Sequence, residues 1–265
     1  MLVETSDGML ECLTAGQTGA GSVVLVHGIQ GTASVWKPVM GSLSTNRRVI
    51  APHLRGRAGS FSPDTAASYA LSNFASDLHS VINTISGPVL LIGWSMGGFV
   101  ALEYLTRFGT GRLIGLGLIS SSPCIKATAG IGATWFKGET SEELALDALA
   151  RAERLQLTET ATDTAVAGSW MSVSMADYRA MLSAISLPVL VLHGADDGEC
   201  PVEHGRAMAA AIPNAALEVW DGCGHVPMSF DPGRFTEKLN RFILDCERMG
   251  NRCAQKQLIF NSVDH

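Results

Sequence analysis

Ser95 stands in the run Gly93-Trp94-Ser95-Met96-Gly97-Gly98, directly after the apolar stretch Pro88-Val89-Leu90-Leu91-Ile92. An apolar strand that closes on Gly-x-Ser-x-Gly and opens into a helix, here Phe99 to Leu105, reads as a nucleophile elbow. Its turn leaves no room for side chains at the glycines and lifts the serine out at the carboxyl end of the strand. A serine hydroxyl is a poor nucleophile at neutral pH; it needs a base, and the base needs an orienting carboxylate. Two later segments offer them. His193-Gly194-Ala195-Asp196-Asp197 follows the apolar run Val189-Leu190-Val191-Leu192 and carries Asp196 or Asp197 as the acid. Asp221-Gly222-Cys223-Gly224-His225 follows Leu217-Glu218-Val219-Trp220 and carries His225 as the base. The chain order is serine, aspartate, histidine, with each group just past a strand, the arrangement of an acyl-transfer site. The backbone N–H of Met96, next to the nucleophile and at a helix N-terminus, is the natural first donor of an oxyanion hole.

Strands must place these loops, and the sequence contains them. Ser22-Val23-Val24-Leu25-Val26-His27 is a continuous apolar run, as expected of a strand covered on both faces. Further strands are expected at Leu2 to Thr5 and Met9 to Leu13 (a hairpin around Ser6-Asp7-Gly8), Arg48 to Ala51, Leu113 to Ile119, Val189 to Leu192 and Leu217 to Trp220. Between them, helical spacing marks Ser34 to Leu43, the Leu71-Phe74-Leu78-Val81-Ile82-Ile85 stripe with Ser72 as N-cap, Val202 to Ala211, and the Phe235-Leu239-Phe242-Ile243 stripe. Strands alternating with helices imply an α/β fold: a mostly parallel twisted sheet with helices on both faces. Residues 123–186 break the alternation with helical stretches (Ser141 to Gln156, Met175 to Ile185) and no strand, which reads as a helical cap inserted in a core of residues 1–122 and 187–248. Residues 249–265 show no strong pattern and read as a loosely packed or disordered tail.

The chain resembles the α/β-hydrolase superfamily over residues 1–247. The His27-Gly28 turn, the Ser95 elbow, the Gly194-x-x-Asp197-x-x-x-Pro201 loop and the Gly222-x-Gly224-His225 loop carry the resemblance. The resemblance implies Asp197 rather than Asp196 as the acid, and the backbone N–H of Ile29, after the His-Gly turn, as the second oxyanion donor. One segment departs from it: where many relatives read Asp-x-Arg-Gly-His-Gly-x-Ser, this chain reads His53-Leu54-Arg55-Gly56-Arg57-Ala58-Gly59-Ser60. Gly-Trp-Ser-x-Gly-Gly, Ser121-Ser122-Pro123-Cys124 and the helical cap are similar to the pimeloyl-[acyl-carrier protein] methyl ester esterases, and suit general carboxylesterases and enol-lactonases as well.

The expected chemistry is hydrolysis of a carboxylic ester with a small or medium acyl group, through an acyl-enzyme on Ser95 and without metal or organic cofactor. Two other readings share these residues: a carbon–carbon bond hydrolase or lyase on the same triad, and a hydrolase-like receptor that binds without turnover. Trp94 beside the nucleophile, and Trp135 and Trp170 in the cap, are candidate substrate-binding residues. Cys200, Glu203 and His204 do not make a convincing metal site, and the six cysteines lack Cys-x-x-Cys spacing. A net charge of −6 with no basic run argues against nucleic acid as a partner, and no stretch is long enough to span a membrane. The cap's Lys126, Lys137, Arg151, Arg154 and Arg179 fit either a solvated helix face or a dock for an acidic carrier linked to the substrate. With no leader pattern at Met1 to Gly8, a cytoplasmic monomer or dimer is expected.

Overall fold

The computed structural model describes residues 1–17, 21–128, 136 and 140–261. Eight strands form one sheet: β1 Leu2–Glu4, β2 Met9–Ala15, β3 Ser22–Val26, β4 Arg48–Pro52, β5 Val89–Trp94, β6 Leu113–Ile119, β7 Val189–Gly194 and β8 Ala215–Trp220. Their order is β1-β2-β4-β3-β5-β6-β7-β8, parallel from β4 to β8, with β1 and β2 antiparallel at one edge. This is the α/β-hydrolase arrangement. The helices are α1 Lys37–Leu43, α2 Leu71–Asn83, α3 Met96–Phe108, α4 Ser141–Arg154, α5 Asp163–Met175, α6 Val202–Ala211, α7 Pro227–Phe230 and α8 Pro232–Asn261.

The unbroken apolar runs have a direct cause. Along β3, Val24 and Val26 enter one core while Val23 and Leu25 enter the other, so alternation of side chains finds protein on both faces. The first core lies under α2 and α3; the second lies under α1 and α8 around Trp36, Trp220 and Phe235. The chain leaves β3 for β4 on one side and returns to β5 on the other, so the loops after β3 and β5 open away from each other. A crevice forms at the carboxyl ends of strands where the winding reverses. The loop His27-Gly28-Ile29 and the elbow at Ser95 border that crevice side by side: a side-chain carbon on Gly28 would lie 3.2 Å from the Ser95 β-carbon.

Several elements differ from the sequence reading. The helix expected over Ser34 to Leu43 is a 3-10 turn (Ala33–Trp36) followed by α1, with Pro38 in the first turn, where a missing N–H costs nothing. α2 starts two residues earlier than expected, with Ala70 rather than Ser72 at the N-cap. Between β6 and β7 the helices are α4 and α5; Met175 ends α5, and only a 3-10 turn over Arg179–Ala184 follows. α5 buries Ala165, Val166, Ala167, Gly168, Ser169 and Val173 around its circumference, so it has no amphipathic stripe for a periodicity search to find. The tail expected beyond Arg248 begins as helix, because α8 continues to Asn261. One internal glycine, Gly250, costs about 1 kcal/mol and does not stop a helix with Ala254, Gln255, Lys256 and Leu258 ahead of it.

Packing at the elbow leaves no room for a side chain. A side-chain carbon on Gly97 would lie 2.2 Å from the Val26 carbonyl oxygen, and one on Gly93 would lie 2.3 Å from the Gly97 carbonyl oxygen. Gly97→Ala is expected to cost about 3 kcal/mol or more of folding free energy, read as a lower urea midpoint at unchanged slope. Gly41→Ala in α1, where the added carbon meets nothing within 4 Å, is the control and is expected to be neutral or slightly stabilising. A Gly97→Ala protein as stable as its parent contradicts this packing.

Candidate active site

Ser95 takes φ 54° and ψ −122°, at the junction of β5 and α3. For a residue with a β-carbon this is strained by about 1–3 kcal/mol. The neighbours hold it there: Ser95 N–H donates to Ile119 O at 2.9 Å, extending the β5–β6 ladder by one bond, and Ser121 Oγ donates to Ser95 O at 2.8 Å. The side chain is left facing the loops after β7 and β8.

Those loops bring the three sequence-derived groups together. His225 Nε2 lies 3.0 Å from Ser95 Oγ. On its other side, His225 Nδ1 lies 2.9 Å from Asp197 Oδ2 and 3.0 Å from Oδ1. Asp197 and His225 are both buried, whereas Asp196 is exposed and contributes only its N–H, donated to Cys223 O. Burial opposes a charge on Asp197, but the adjoining imidazole of His225 and the hydrogen bond to it outweigh burial and hold the carboxyl below its ordinary range. The backbone N–H groups of Glu199 and Cys200 also donate to Asp197 Oδ1, at 3.0 and 2.8 Å. An ionised Asp197 accepts from Nδ1–H, so Nε2 is left as the acceptor facing the serine hydroxyl.

Ile29 and Met96 line the same small cavity as Ser95. Met96 is the first residue of α3, where an N–H has no acceptor within the helix. The Ile29 N–H is aimed by its neighbour. His27 Nδ1 donates to Gly28 O at 2.7 Å, while its Nε2 accepts from Leu54 N at 3.1 Å, which fixes the neutral tautomer. Because the Gly28–Ile29 peptide is planar and trans, pinning its oxygen toward His27 points its N–H the opposite way. Arg57 then grips the Ile29 carbonyl.

The candidate substrate-binding residues separate. Trp170 lines the cavity with Ser95 and packs against Phe136 at a ring separation of 5.4 Å. Trp94 does not line it: the ring is buried on the opposite face of the sheet with Leu90 and Ile92, and its indole N–H donates to His225 O at 2.7 Å. It supports the histidine from below. Trp135 lies outside the described residues. Phe99, Ile125, Val173 and Arg151 complete the lining, with Phe136. Phe99 was legible as one helical turn beyond Met96. Arg151 was not, since on α4 it read as solvated; it is buried instead, with Nε donating to Glu199 Oε2 at 2.6 Å. The cavity holds about 20 Å³, room for roughly one water, so an acyl group enters only as the side chains from α4 and α5 yield.

The atypical segment after β4 is a buried polar frame. Arg55 pairs with Asp77 through two bonds of 2.7 Å, and His53 Nδ1 accepts from Ala33 N at 3.2 Å. Among the described residues no group of three or more His, Cys, Asp or Glu is placed to hold a metal ion, and no helix is long and apolar enough to cross a membrane.

Sequence comparison agrees with this architecture. Residues 23–238 match the alpha/beta hydrolase family. The chain belongs to that family. It is 27% identical over 240 residues to the pimeloyl-[acyl-carrier protein] methyl ester esterase of Aromatoleum aromaticum, covering 79% of this chain and 93% of that protein. Among solved structures, a thermophilic esterase from Thermogutta terrifontis superposes with TM-score 0.74 at 26% identity, over 93% of this chain and 98% of the other. The esterase RhEst1 from Rhodococcus superposes with TM-score 0.75 at 25% identity, over 92% and 98%.

Burial holds His27, His53, His193 and His204 below the ordinary imidazole value of 6.5, His204 down to about 4. In the unfolded chain these groups take up protons near 6.5; in the fold they do so only at lower pH. As pH falls through that interval the unfolded state binds more protons, so stability must fall with it. The melting temperature is expected to be level above pH 6.5 and to drop steadily from there toward about pH 5, ahead of carboxylate titration. A melting temperature that stays flat across this range contradicts the buried neutral histidines.

Proposed function

We propose that the protein is a serine esterase that cleaves a carboxylic ester through an acyl-enzyme on Ser95. The observation that carries this reading is the continuous chain Ser95 Oγ–His225–Asp197, with separations of 3.0 and 2.9 Å. His225 Nε2 takes the serine proton as Oγ attacks the ester carbonyl. Asp197 stabilises the imidazolium that results. The tetrahedral oxyanion forms toward the N–H groups of Met96 and Ile29, with the N-terminus of α3 adding a favourable dipole. The carbonyl re-forms as the alcohol departs with the proton held by His225. Water, deprotonated by the same nitrogen, then releases the acid and restores Ser95.

Support comes from the similarity to esterases in both sequence and structure, and from the apolar lining of Ile29, Met96, Phe99, Ile125, Phe136, Trp170 and Val173, suited to a small or medium acyl chain. The esterase of A. aromaticum acts, by its name, on an ester carried by an acyl-carrier protein. A carrier-linked substrate is thus one form the ester takes in this reading. A binding-only role has no use for an ionised aspartate buried behind a histidine that touches a serine.

A fluorophosphonate probe is expected to label Ser95 in the full-length protein, and a panel of short p-nitrophenyl esters to be hydrolysed. Ser95→Ala is expected to abolish labelling and to lower kcat by about 10⁴-fold or more, and Asp197→Asn, which imposes the wrong tautomer on His225, by about 10⁴-fold. Ester turnover that survives Ser95→Ala overturns the reading.

A further inference from the structure

Arg151 carries the only charge among the described residues that line the cavity at Ser95. Its side chain is 6% exposed. Nε donates to Glu199 Oε2 at 2.6 Å and Nη1 to Gln30 Oε1 at 3.3 Å. Nη2 makes no hydrogen bond among the described residues, and Arg151 lines the cavity. The ring of Phe136 covers one face of the guanidinium, 5.1 Å from its centroid, so that the edge rather than the face stays open.

The charge is under-compensated. Glu199 is shared: its Oε1 accepts from Arg154 Nε at 2.8 Å and lies 2.7 Å from Arg154 Nη2 in an ion pair, so two guanidinium groups draw on one carboxylate. Burial lowers the pKa of Arg151, and Glu199 beside it does not make up the difference. A buried cation with an open donor edge is costly to leave facing apolar groups and favourable to complete with an anion. The orientation of that edge is set from two sides. Gln30, which follows the oxyanion residue Ile29, is itself tied to α4 through its amide donating to Ala148 O, and Glu199 follows Asp197 by two positions.

We propose that this cavity selects esters whose acyl portion carries a carboxylate, received by Arg151 while Glu199 and Gln30 hold the guanidinium in place. The inference rests on the serine-esterase reading and names its substrate class. The apolar residues between Ser95 and Arg151 contact the methylene groups that separate the ester from the acid. The reaction remains ester hydrolysis: water adds across the acyl–oxygen bond, and the products are a dicarboxylate and an alcohol.

The test compares monomethyl succinate and monomethyl glutarate with methyl butyrate and methyl valerate, at a pH where the acids are ionised. The parent protein is expected to favour the acidic esters by about tenfold or more in kcat/KM, the value of one charge-assisted hydrogen bond. In Arg151→Met that ratio is expected to collapse toward one through KM; Arg151→Lys, which keeps the charge, is expected to retain part of it. A parent protein that prefers the neutral esters overturns the proposal whether or not the variants fold. An equal loss of kcat on both ester classes in Arg151→Met also overturns it, because Arg151 then only positions its two partners. Calorimetric binding of monomethyl glutarate against methyl valerate to Ser95→Ala separates the two claims. Preferential binding of the acidic ester with no ester turned over by the parent sustains the carboxylate site and sinks the esterase reading. Turnover without preference in rate or binding does the reverse.

Discussion

The strained backbone at Ser95 is the constraint on which the rest depends. A φ of 54° holds about 1–3 kcal/mol of strain, and the fold tolerates it only because the surrounding atoms leave no alternative. The ladder bond to Ile119 fixes the residue from one side and the Ser121 hydroxyl from the other. The carbonyls of Val26 and Gly97 approach positions 97 and 93 so closely that only glycine fits. The gain is geometric. The hydroxyl stands clear of strand and helix, in reach of groups that arrive on loops after β7 and β8. The reversal of winding between β3 and β5 brings the Ile29 loop to the same place.

Burial then decides which groups carry charge. Asp197 is kept ionised inside the protein because His225 and two backbone N–H groups offset its loss of water. Next to it, His193 is kept neutral: its Nε2 donates to Cys200 O at 2.8 Å, and its Nδ1 has no partner, pressed against Gly205. A second imidazole 3.6 Å from the Asp197 carboxylate could compete with His225 for it. The bond to Cys200 O turns its one N–H to the backbone of the acid loop, so His193 braces that loop, and Asp197 stays committed to His225. His27 repeats the device beside the Ile29 loop, where a neutral, buried ring aims a peptide.

How much was legible in the sequence follows from the same physics. β3, β5 and β7 are buried on both faces, so their apolar runs could be read without neighbours. The elbow and the loops carrying Asp197 and His225 could be read because glycine spacing reports backbone crowding directly. α5 could not, because its buried residues run around the helix and its exposed positions include Met171 and Met175, which leaves no polar side to set its period. Trp94 adjoins Ser95 in sequence, but successive strand residues point to opposite faces, and it went to the far core with Leu90 and Ile92. Arg151 looked like one more basic residue on a polar helix. Its burial depends on Glu199, 48 positions away, and on Gln30, 121 positions away, and no local pattern encodes pairings at that range.

That last residue links α4 to the surroundings of Ser95. α4 reaches the core through Arg151 and Ala148, and both of their core partners adjoin the machinery: Gln30 next to Ile29, Glu199 two residues past Asp197. Farther along, Ala161 N–H donates to Gln30 O at 2.8 Å, and the α5 hydroxyl of Ser169 accepts from Arg57, the residue that grips Ile29 O. The segment that shapes the cavity therefore also braces the loops of Ile29 and Asp197. A 20 Å³ cavity cannot admit a larger group without some of these contacts shifting, so filling it disturbs the same contacts that hold the Ile29 and Asp197 loops. A ligand that re-forms the contacts it displaces, by meeting the open edge of Arg151 while α4 settles back, restores Gln30 and Glu199 to their places. One that does not leaves a buried cation unpaired and the loops less well held. In this architecture, the shape of the cavity and the alignment of Ser95, His225 and Asp197 draw on the same few hydrogen bonds.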